Sequence, residues 1–434
     1  MAELERKLGD KTAIVGIIGL GYVGLPLAVA FARAGLHVIG FDVLEERVEA
    51  IRQGKSYIAD ISNKTLSTLI NGAHLDVTTD QRRLREVDAV SICVPTPLNK
   101  AKDPDLSYVI QESEEVSKYL QRGQLVVLES TTYPGTTREV ILPILERSGL
   151  KVGQDFYLAY SPERIDPGNK KHNIKNTPKL VGGIDAESTR LAELLYHQVA
   201  DKVLPVSSPS TAEMTKIFEN VFRNVNIALV NELAWLCENM GISVWEVINA
   251  AATKPFGYTP FYPGPGVGGH CIPLDPYYLA SKAREFDFHT RFIELAAEIN
   301  DQMPYHITTR VIEALNTRSK SLKSARVLVL GVAYKKDVGD SRESPSLKLI
   351  GILRGKGAEV SYNDPYIAEI QIGEDTLKSV ELTERYLSSM DCVVIATDHS
   401  DYDYQFLINN ASLVFDTRGI TRAINGENII RLGE

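Results

Sequence analysis

The segment from Ile14 to Pro26, IVGIIGLGYVGLP, constrains the fold more than any other part of this chain. Ala13–Ile18 is a short run of branched apolar residues, as expected of a buried strand. Three glycines (Gly19, Gly21 and Gly24) follow it with the spacing GxGxxG. Gly24–Ala34 then reads as a buried helix, and Leu36–Phe41 as a second strand closed by Asp42, 18 residues after Gly24. A lone GxGxxG is weak evidence, but strand, turn, helix and a second strand ending in an acid together specify a dinucleotide site. Gly19 permits the tight turn, and Gly21 lets the backbone approach a pyrophosphate. Gly24 lets the helix pack on the strand with its N-terminus facing the phosphates. Tyr22, Val23 and Arg47 are assigned to the same site. Asp42 is expected to accept both adenosine ribose hydroxyls and to repel a 2′-phosphate. Val43 and Leu44 supply no cation for that phosphate, so the expected cofactor is NAD.

The alternation continues with a strand at Ala89–Val94, a helix near Ser107–Leu120, a strand at Leu125–Leu128, a helix after Gly135 and a strand at Phe156–Tyr160. Short apolar runs between amphipathic helices predict a parallel, doubly wound sheet, here residues 1–206. In such a sheet ligands collect at the C-terminal ends of strands. Pro95 and Thr96 in CVPTP, and Thr131 in EST, are therefore candidates for the nicotinamide side, although either segment also reads as an ordinary strand-to-loop junction. Thr12–Phe41 is long and apolar, but its glycines, Pro26, Arg33 and His37 suit a strand, turn and helix better than a membrane span.

A length of 434 residues suits two or three domains. The net charge of −9 and pI of about 5.6 disfavour nucleic acid or an anionic membrane as partner, so any phosphate site is local. The four cysteines are widely separated and form no CxxC pair. That argues against a disulfide framework or a metal site and suits a reducing cytoplasm. The start, MAELERKLGDKT, lacks the pattern of a signal peptide.

Ser207-Ser208-Pro209 offers a helix cap, and neither proline nor glycine recurs before Gly241. The expected helix Pro209–Met240 is about 45–50 Å long at 1.5 Å per residue. Its apolar residues lie almost all round, so it needs cover on every side. One chain of this size could supply that cover, but a subunit interface, in a homodimer or higher homo-oligomer, is the expected arrangement. The central domain is read as residues 207–318. Strands at Arg326–Leu330, Glu359–Tyr362 and Cys392–Ala396, with a helix at Ser344–Lys356, restart the α/β pattern in residues 319–434. The fold class is thus two doubly wound Rossmann-like domains joined by a central helical domain with one long helix.

The loop Pro263–Asp275 holds four glycines and three prolines, which exclude a regular element and imply a fixed loop where backbone approaches a ligand. Cys271 lies within it. From the residues alone it reads equally as a small buried hydrophobe or as a nucleophile beside His270 and Asp275.

GGHCIPLDP resembles the active-site loop of the UDP-glucose/GDP-mannose dehydrogenase family. The resemblance runs along the chain through GLGYVGLPLA, SPERIDPGN, AEMTKIFENVFRNVNIALVNELA and GVAYKKDVGDSRESP. It implies a cofactor domain, a central helical dimerisation domain and a C-terminal domain that holds the nucleotide. It further implies two successive oxidations at C6 of a UDP-sugar by NAD: Cys271 captures the aldehyde as a thiohemiacetal, a second hydride leaves to give a thioester, and water releases the acid. KPFGYTPFYPGPGVGGHCIP is most similar to the branch acting on UDP-N-acetyl-D-glucosamine. UDP-glucose enzymes commonly have GGYCLPKD, whereas this chain has His270 and Leu274. UDP-N-acetylmannosamine and UDP-glucose are the alternative substrates.

The residue types fit that chemistry. A thiolate adds to carbonyls, and a thioester is activated toward water. Lys216 matches the family's lysine that stabilises negative charge on the C6 oxygen, and Asn220, four residues on, falls on the same helix face. Glu213 and Asn224 extend this polar stripe, which a purely structural helix would not need. The resemblance pairs Asp275 with Thr131 at the hydrolytic water and gives Glu163 a part in proton handling. It assigns Arg164, Tyr262, Gly264, Gly268 and Lys335 to substrate and Arg342 to cofactor. Tyr258, Phe261 and Tyr262 are expected beside an acetamido group. A one-step dehydrogenase of hydroxy acids or phosphosugars shares the fingerprint but needs no cysteine. A non-enzymatic NAD-sensing or assembly protein would be expected to have lost Glu163, Lys216, Asn220, Cys271 or Asp275.

Overall fold

The computed structural model describes residues 2–58, 60–99, 102–166, 168–169, 171–269 and 272–434, so His270 and the expected nucleophile Cys271 lie outside the described residues. Two compact units are present, Met1–Glu219 with Tyr277–Phe288, and Asn220–Pro276 with His289–Glu434.

The first unit is built on β1 (Ile14–Ile18), β2 (His37–Phe41), β3 (Leu75–Thr78), β4 (Ala89–Ile92), β5 (Leu125–Leu128), β6 (Tyr157–Tyr160), β7 (Lys179–Gly183) and β8 (Val203–Pro205). They form one sheet in the order β3-β2-β1-β4-β5-β6-β7-β8. Successive side chains point to opposite faces. Val15, Ile17, Val38, Val77, Leu125 and Val127 therefore enter one buried cluster, and Ile18, Ile39, Phe41, Val90, Val126 and Leu128 the other. Burial on both faces explains why these strands read as continuous apolar runs. Strand order reverses between β1 and β4, which leaves a crevice at their C-terminal ends. The sheet departs from the expected parallel arrangement at one place, where β6 and β7 are antiparallel. A parallel return needs a crossover, usually a helix. The described part of the β6–β7 connection contains none.

The second unit carries β9 (Arg326–Leu330), β10 (Glu359–Asn363), β11 (Glu369–Ile372), β12 (Asp375–Lys378), β13 (Cys392–Ile395), β14 (Val414–Asp416) and β15 (Ile429–Arg431). Five of them form a wholly parallel sheet, β10-β9-β13-β14-β15, while β11 and β12 pair as a separate hairpin. Val327, Val329 and Val394 face one cluster, and Leu328, Leu330, Val393 and Ile395 the other.

The helix Pro209–Met240 runs unbroken for 32 residues, its first part through Glu219 in the first unit and the rest in the second. A further long helix, Arg291–Thr317, carries Pro304 in its interior. Val230, Ala234 and Cys237 pack against Val244, Trp245 and Ile248. Phe218, Phe222, Leu229, Leu236 and Met240 lie along one exposed stripe of the same helix. The described chain thus leaves uncovered one of the faces that its sequence requires to be covered. Among the described residues no helix is long and apolar enough to cross a membrane.

Candidate active site

In the first unit, Gly19 has φ +85°, and a Cβ on Gly24 would lie 1.9 Å from the Gly19 carbonyl oxygen and 3.2 Å from Ile17. Only glycine permits that approach of helix to strand. Around Gly21, by contrast, nothing lies within 4 Å of where a Cβ would stand. Val23 precedes the helix Gly24–Arg33 without a side-chain cap, and Tyr22 is exposed beside it. An open turn and an uncapped helix N-terminus suit a pyrophosphate. Buried Asp42 accepts N–H bonds from Leu20 and Leu44, both at 2.9 Å, and pairs with Arg47 at 3.4 Å. These contacts fix the carboxylate at the end of β2, and Arg47 is already paired with it. The arrangement fits an NAD ribose.

The ends of β4 and β5 are tied together, since the Ser130 hydroxyl donates to the Val94 carbonyl at 2.7 Å. Pro95 is exposed, whereas Thr96 is buried and its carbonyl accepts the Tyr278 hydroxyl at 2.7 Å. Thr131 is half-buried. Cys93 is no candidate nucleophile, because burial and the nearby Glu129 carboxylate hold its thiol far above the usual range. The buried hydroxyls of Thr132 and Ser161 have no hydrogen-bond partner among the described residues.

Beside them lies an ion cluster that the sequence reading missed. Lys179, at the start of β7, places its ammonium 2.7 Å from Glu129 and 3.2 Å from Glu163. The other Glu163 oxygen accepts the Arg164 and Ile165 N–H groups at 2.6 and 2.7 Å. Burial pushes the Glu163 carboxyl up, but Lys179, the Ile165 N–H and the charge of Lys216 outweigh it and leave it below the ordinary value. Burial pushes Glu129 up, and there it prevails over Lys179. The Arg164 guanidinium is engaged by Glu219 at 2.6 Å and the Pro178 carbonyl at 2.7 Å.

On the long helix, Lys216 is only 9% exposed, yet it has no hydrogen-bond or ion-pair partner among the described residues. An unpartnered buried ammonium is costly, which a ligand's negative charge would relieve. Glu213 corrects the sequence reading. It is fully buried and accepts Gly135 N–H at 2.6 Å, Thr137 N–H at 2.8 Å and the Thr137 hydroxyl at 2.6 Å. Its carboxylate anchors the start of the helical stretch Thr137–Leu145, a structural use of the polar stripe.

In the second unit, Asn220 donates its side-chain amide to Asp275 at 2.5 Å, and the Asn224 amide donates to the Ile272 carbonyl at 3.2 Å. Asn231 accepts the Gly264 N–H at 3.0 Å and donates to Asn300 at 2.9 Å, and Asn300 in turn donates to the Asn224 carbonyl. This amide chain holds the loop at both ends. The spacing of Asn220, Asn224 and Asn231 on one helix face was the available signal for it.

The glycines of the loop meet a distant segment. A Cβ on Gly268 would lie 2.8 Å from Tyr334 and 2.9 Å from both the Glu343 carbonyl and Pro345. Gly269 N–H donates to the Arg342 carbonyl at 3.2 Å. The GVAYKKDVGDSRESP segment therefore seats the Gly268–Gly269 part of the loop. Lys335 is half-buried on that segment, and the Arg342 guanidinium rests on Asp340 at 2.6 Å. Tyr262 stacks on Trp245 and donates to Asn249 at 3.1 Å, Phe261 meets Phe222 edge-on, and Tyr258 stands exposed.

The second sheet repeats the first sheet's turn. Gly331 N–H bonds to Asn363 at the end of β10, as Gly19 N–H bonds to Phe41 at the end of β2. Asp364 stands where Asp42 stands, but it is saturated by Val332, Ala333 and Tyr366 N–H groups and by His399. It holds its own loop and has little left for a ribose.

Comparison with known proteins agrees with this geometry. The model of the NAD binding domain of the UDP-glucose/GDP-mannose dehydrogenase family matches residues 13–200, that of its central domain 210–302, and that of its UDP binding domain 328–423. A UDP-N-acetyl-D-mannosamine dehydrogenase of Pyrococcus horikoshii is 38% identical over 89% of this chain and 90% of its own length. A UDP-N-acetyl-D-glucosamine 6-dehydrogenase of Pseudomonas aeruginosa is 35% identical over 89% of this chain and 91% of its own. The solved structure of the UDP-D-ManNAc dehydrogenase from Pyrococcus horikoshii superimposes with a TM-score of 0.89, covering 97% of this chain and 99% of that one.

Proposed function

The chain belongs to the UDP-glucose/GDP-mannose dehydrogenase family and is an NAD-dependent UDP-sugar dehydrogenase, and we propose that its substrate is UDP-N-acetyl-D-glucosamine, oxidised at C6 to the uronic acid. The observation that carries the proposed chemistry is Lys216, a buried ammonium unpartnered among the described residues. Such a group stabilises an oxyanion at C6, because among the described residues it meets no competing carboxylate within ion-pair distance. NAD, when bound, accepts the hydrides. Gly19, Gly21, Gly24 and Asp42 hold it, and Tyr22, Val23, Arg47, Pro95, Thr96, Thr131 and Arg342 complete its surroundings.

In this reading Cys271 adds to the aldehyde, holds it as a thiohemiacetal for the second oxidation, and keeps the resulting acyl group as a thioester until water releases it. Asn220 donates to the substrate oxygen with the N–H that Asp275 does not take. Asp275 and Thr131 orient the water that cleaves the thioester, and Glu163 takes its proton. Arg164, Tyr262, Gly264, Gly268 and Lys335 contact the nucleotide sugar.

The acetamido assignment rests on the wording of Lys254–Cys271, with Tyr258, Phe261 and Tyr262 upstream of the nucleophile. A sugar lacking the acetamide leaves part of such a pocket unfilled, at a cost of about 1–3 kcal/mol. The manno epimer is the second reading, favoured by relatives such as the one from Pyrococcus horikoshii. Initial rates of NADH formation with UDP-N-acetylglucosamine, UDP-N-acetylmannosamine and UDP-glucose at equal concentration decide among them. Two NADH per sugar are expected, and faster turnover of UDP-glucose or UDP-N-acetylmannosamine overturns the assignment.

The exposed stripe Phe218–Met240 is the proposed contact with a second copy of the chain. Large apolar side chains repeated along one helix face are the surface a symmetric helix pair buries.

A further inference from the structure

We propose that Lys179 is a positioning residue for the dehydrogenase reaction: clamped between Glu129 and Glu163, its ammonium keeps the Glu163 carboxylate ionised and fixed in orientation, ready to take a proton during turnover. The inference rests on the reading of Glu163 as the proton-handling group.

The geometry is specific. The Lys179 side chain is 7% exposed, Glu129 is 0% exposed and Glu163 is 15% exposed. One buried cation thus serves two carboxylates that differ in their access to solvent. Tyr196 donates its hydroxyl to Glu129, and the Lys179 ammonium also lies 5.0 Å from the Tyr196 ring centroid. With the Arg164 and Ile165 N–H groups on one Glu163 oxygen and Lys179 on the other, both oxygens are held. Among the described residues, the charged and titratable groups that act on Glu163 include Lys179 from β7, Glu129 from the end of β5, Lys216 from the long helix and Cys93 from the end of β4.

Two carboxyls whose surroundings separate their proton affinities divide the labour of acid and base. Glu163 is held below the ordinary value and Glu129 above it. As pH falls, Glu129 takes the first proton and Glu163 stays charged. Without the ammonium, only the backbone N–H groups and the more distant Lys216 oppose burial at Glu163, and a protonated carboxyl cannot act as a base. A purely structural buried pair would require only one carboxylate.

The test compares full-length Lys179→Met, Lys179→Gln and Lys179→Arg with the wild type, after circular dichroism has shown which variants fold. The acidic limb of kcat is expected to move up by more than about one pH unit in the neutral variants. Each unit of that move gives a loss of about tenfold on the acidic side of the wild-type limb, and the loss recovers at pH values above the shifted limb, with KM changed less than about twofold. Lys179→Arg restores the wild-type profile. A substrate-free readout runs alongside. Infrared difference spectra of Lys179→Met at neutral pH should show a protonated-carboxyl stretch that weakens in Lys179→Met/Glu163→Gln. A loss of activity independent of pH, failure of Lys179→Arg to rescue, or absence of that band overturns the proposal. If the band appears but the kcat profile stays put, the positioning role is refuted. If the wild type oxidises no UDP-sugar, the assignment of activity has failed, and the infrared result still decides whether Lys179 sets the charge of Glu163.

Discussion

Glu112 offers a stability test whose size and pH dependence follow from the structure. It sits in the helix Ser107–Tyr119, is 5% exposed, and has Gln81 near one oxygen at 3.4 Å. Burial, and then the charges of Glu115 and Asp42, push its carboxyl up from 4.5 to about 7. A carboxyl whose folded value lies above its unfolded value makes the native state bind more protons between the two. Stability therefore falls as pH rises from about 4.5 through about 7, and the full cost persists above that. A shift of about 2.5 units at about 1.36 kcal/mol per unit sets an upper limit near 3.4 kcal/mol, and solvent screening lowers the expectation to about 2 kcal/mol. Glu112→Gln removes the charge at nearly constant volume. Calorimetry should find its cofactor-domain transition raised by about 4–8 °C at pH 8.5, and nearly unchanged at pH 4.5. Equal stabilisation at both pH values would mean that packing was the cause, and destabilisation at pH 8.5 would refute the reasoning outright.

Asp42→Ala should narrow the preference for NAD over NADP, read as the ratio of kcat/KM for the two cofactors; equal use of both by the wild type would remove the premise. Cys271→Ala should abolish acid formation while leaving NAD binding largely unchanged by calorimetric titration, and full four-electron turnover by the variant would dismiss the nucleophile. The wild type should sediment as a dimer or larger, and Phe222→Glu with Leu229→Glu should shift it toward monomer. A fully active wild-type monomer at assay concentration contradicts that expectation.

Much of the fold is written locally. The strand–turn–helix of the cofactor site is legible because Gly19, Gly24 and Asp42 each satisfy a backbone constraint within a few dozen residues. The helix Pro209–Met240 is legible because it lacks breakers and is flanked by a cap and Gly241. Other elements are set by packing. Pro304 signals a break, yet Met303, Ile307 and Val311 are fully buried around it, and the helix Arg291–Thr317 continues through. The antiparallel β7 follows from a connection without a crossover helix, which no single residue announces.

The site divides in the same way. Residue types together with the family resemblance are what proposed the chemistry of Lys216, Asn220, Asp275 and the cysteine loop. Partner choice lies beyond them. Glu213 and Lys216 sit three residues apart on one helix, but only the fold gives Glu213 two backbone N–H groups and a hydroxyl while leaving Lys216 without a partner among the described residues. Lys179 lies 50 positions from Glu129, and β7 must be laid into the sheet before the two meet. Asp42 and Asp364 each close a second strand, yet one is fixed at the cofactor turn and the other is consumed by its own loop and His399. Sequence determines which groups exist and which short backbone turns they favour. Tertiary structure decides which charges are paired, buried or left for a ligand, because pairing and desolvation depend on distances of a few ångströms between segments far apart in the chain.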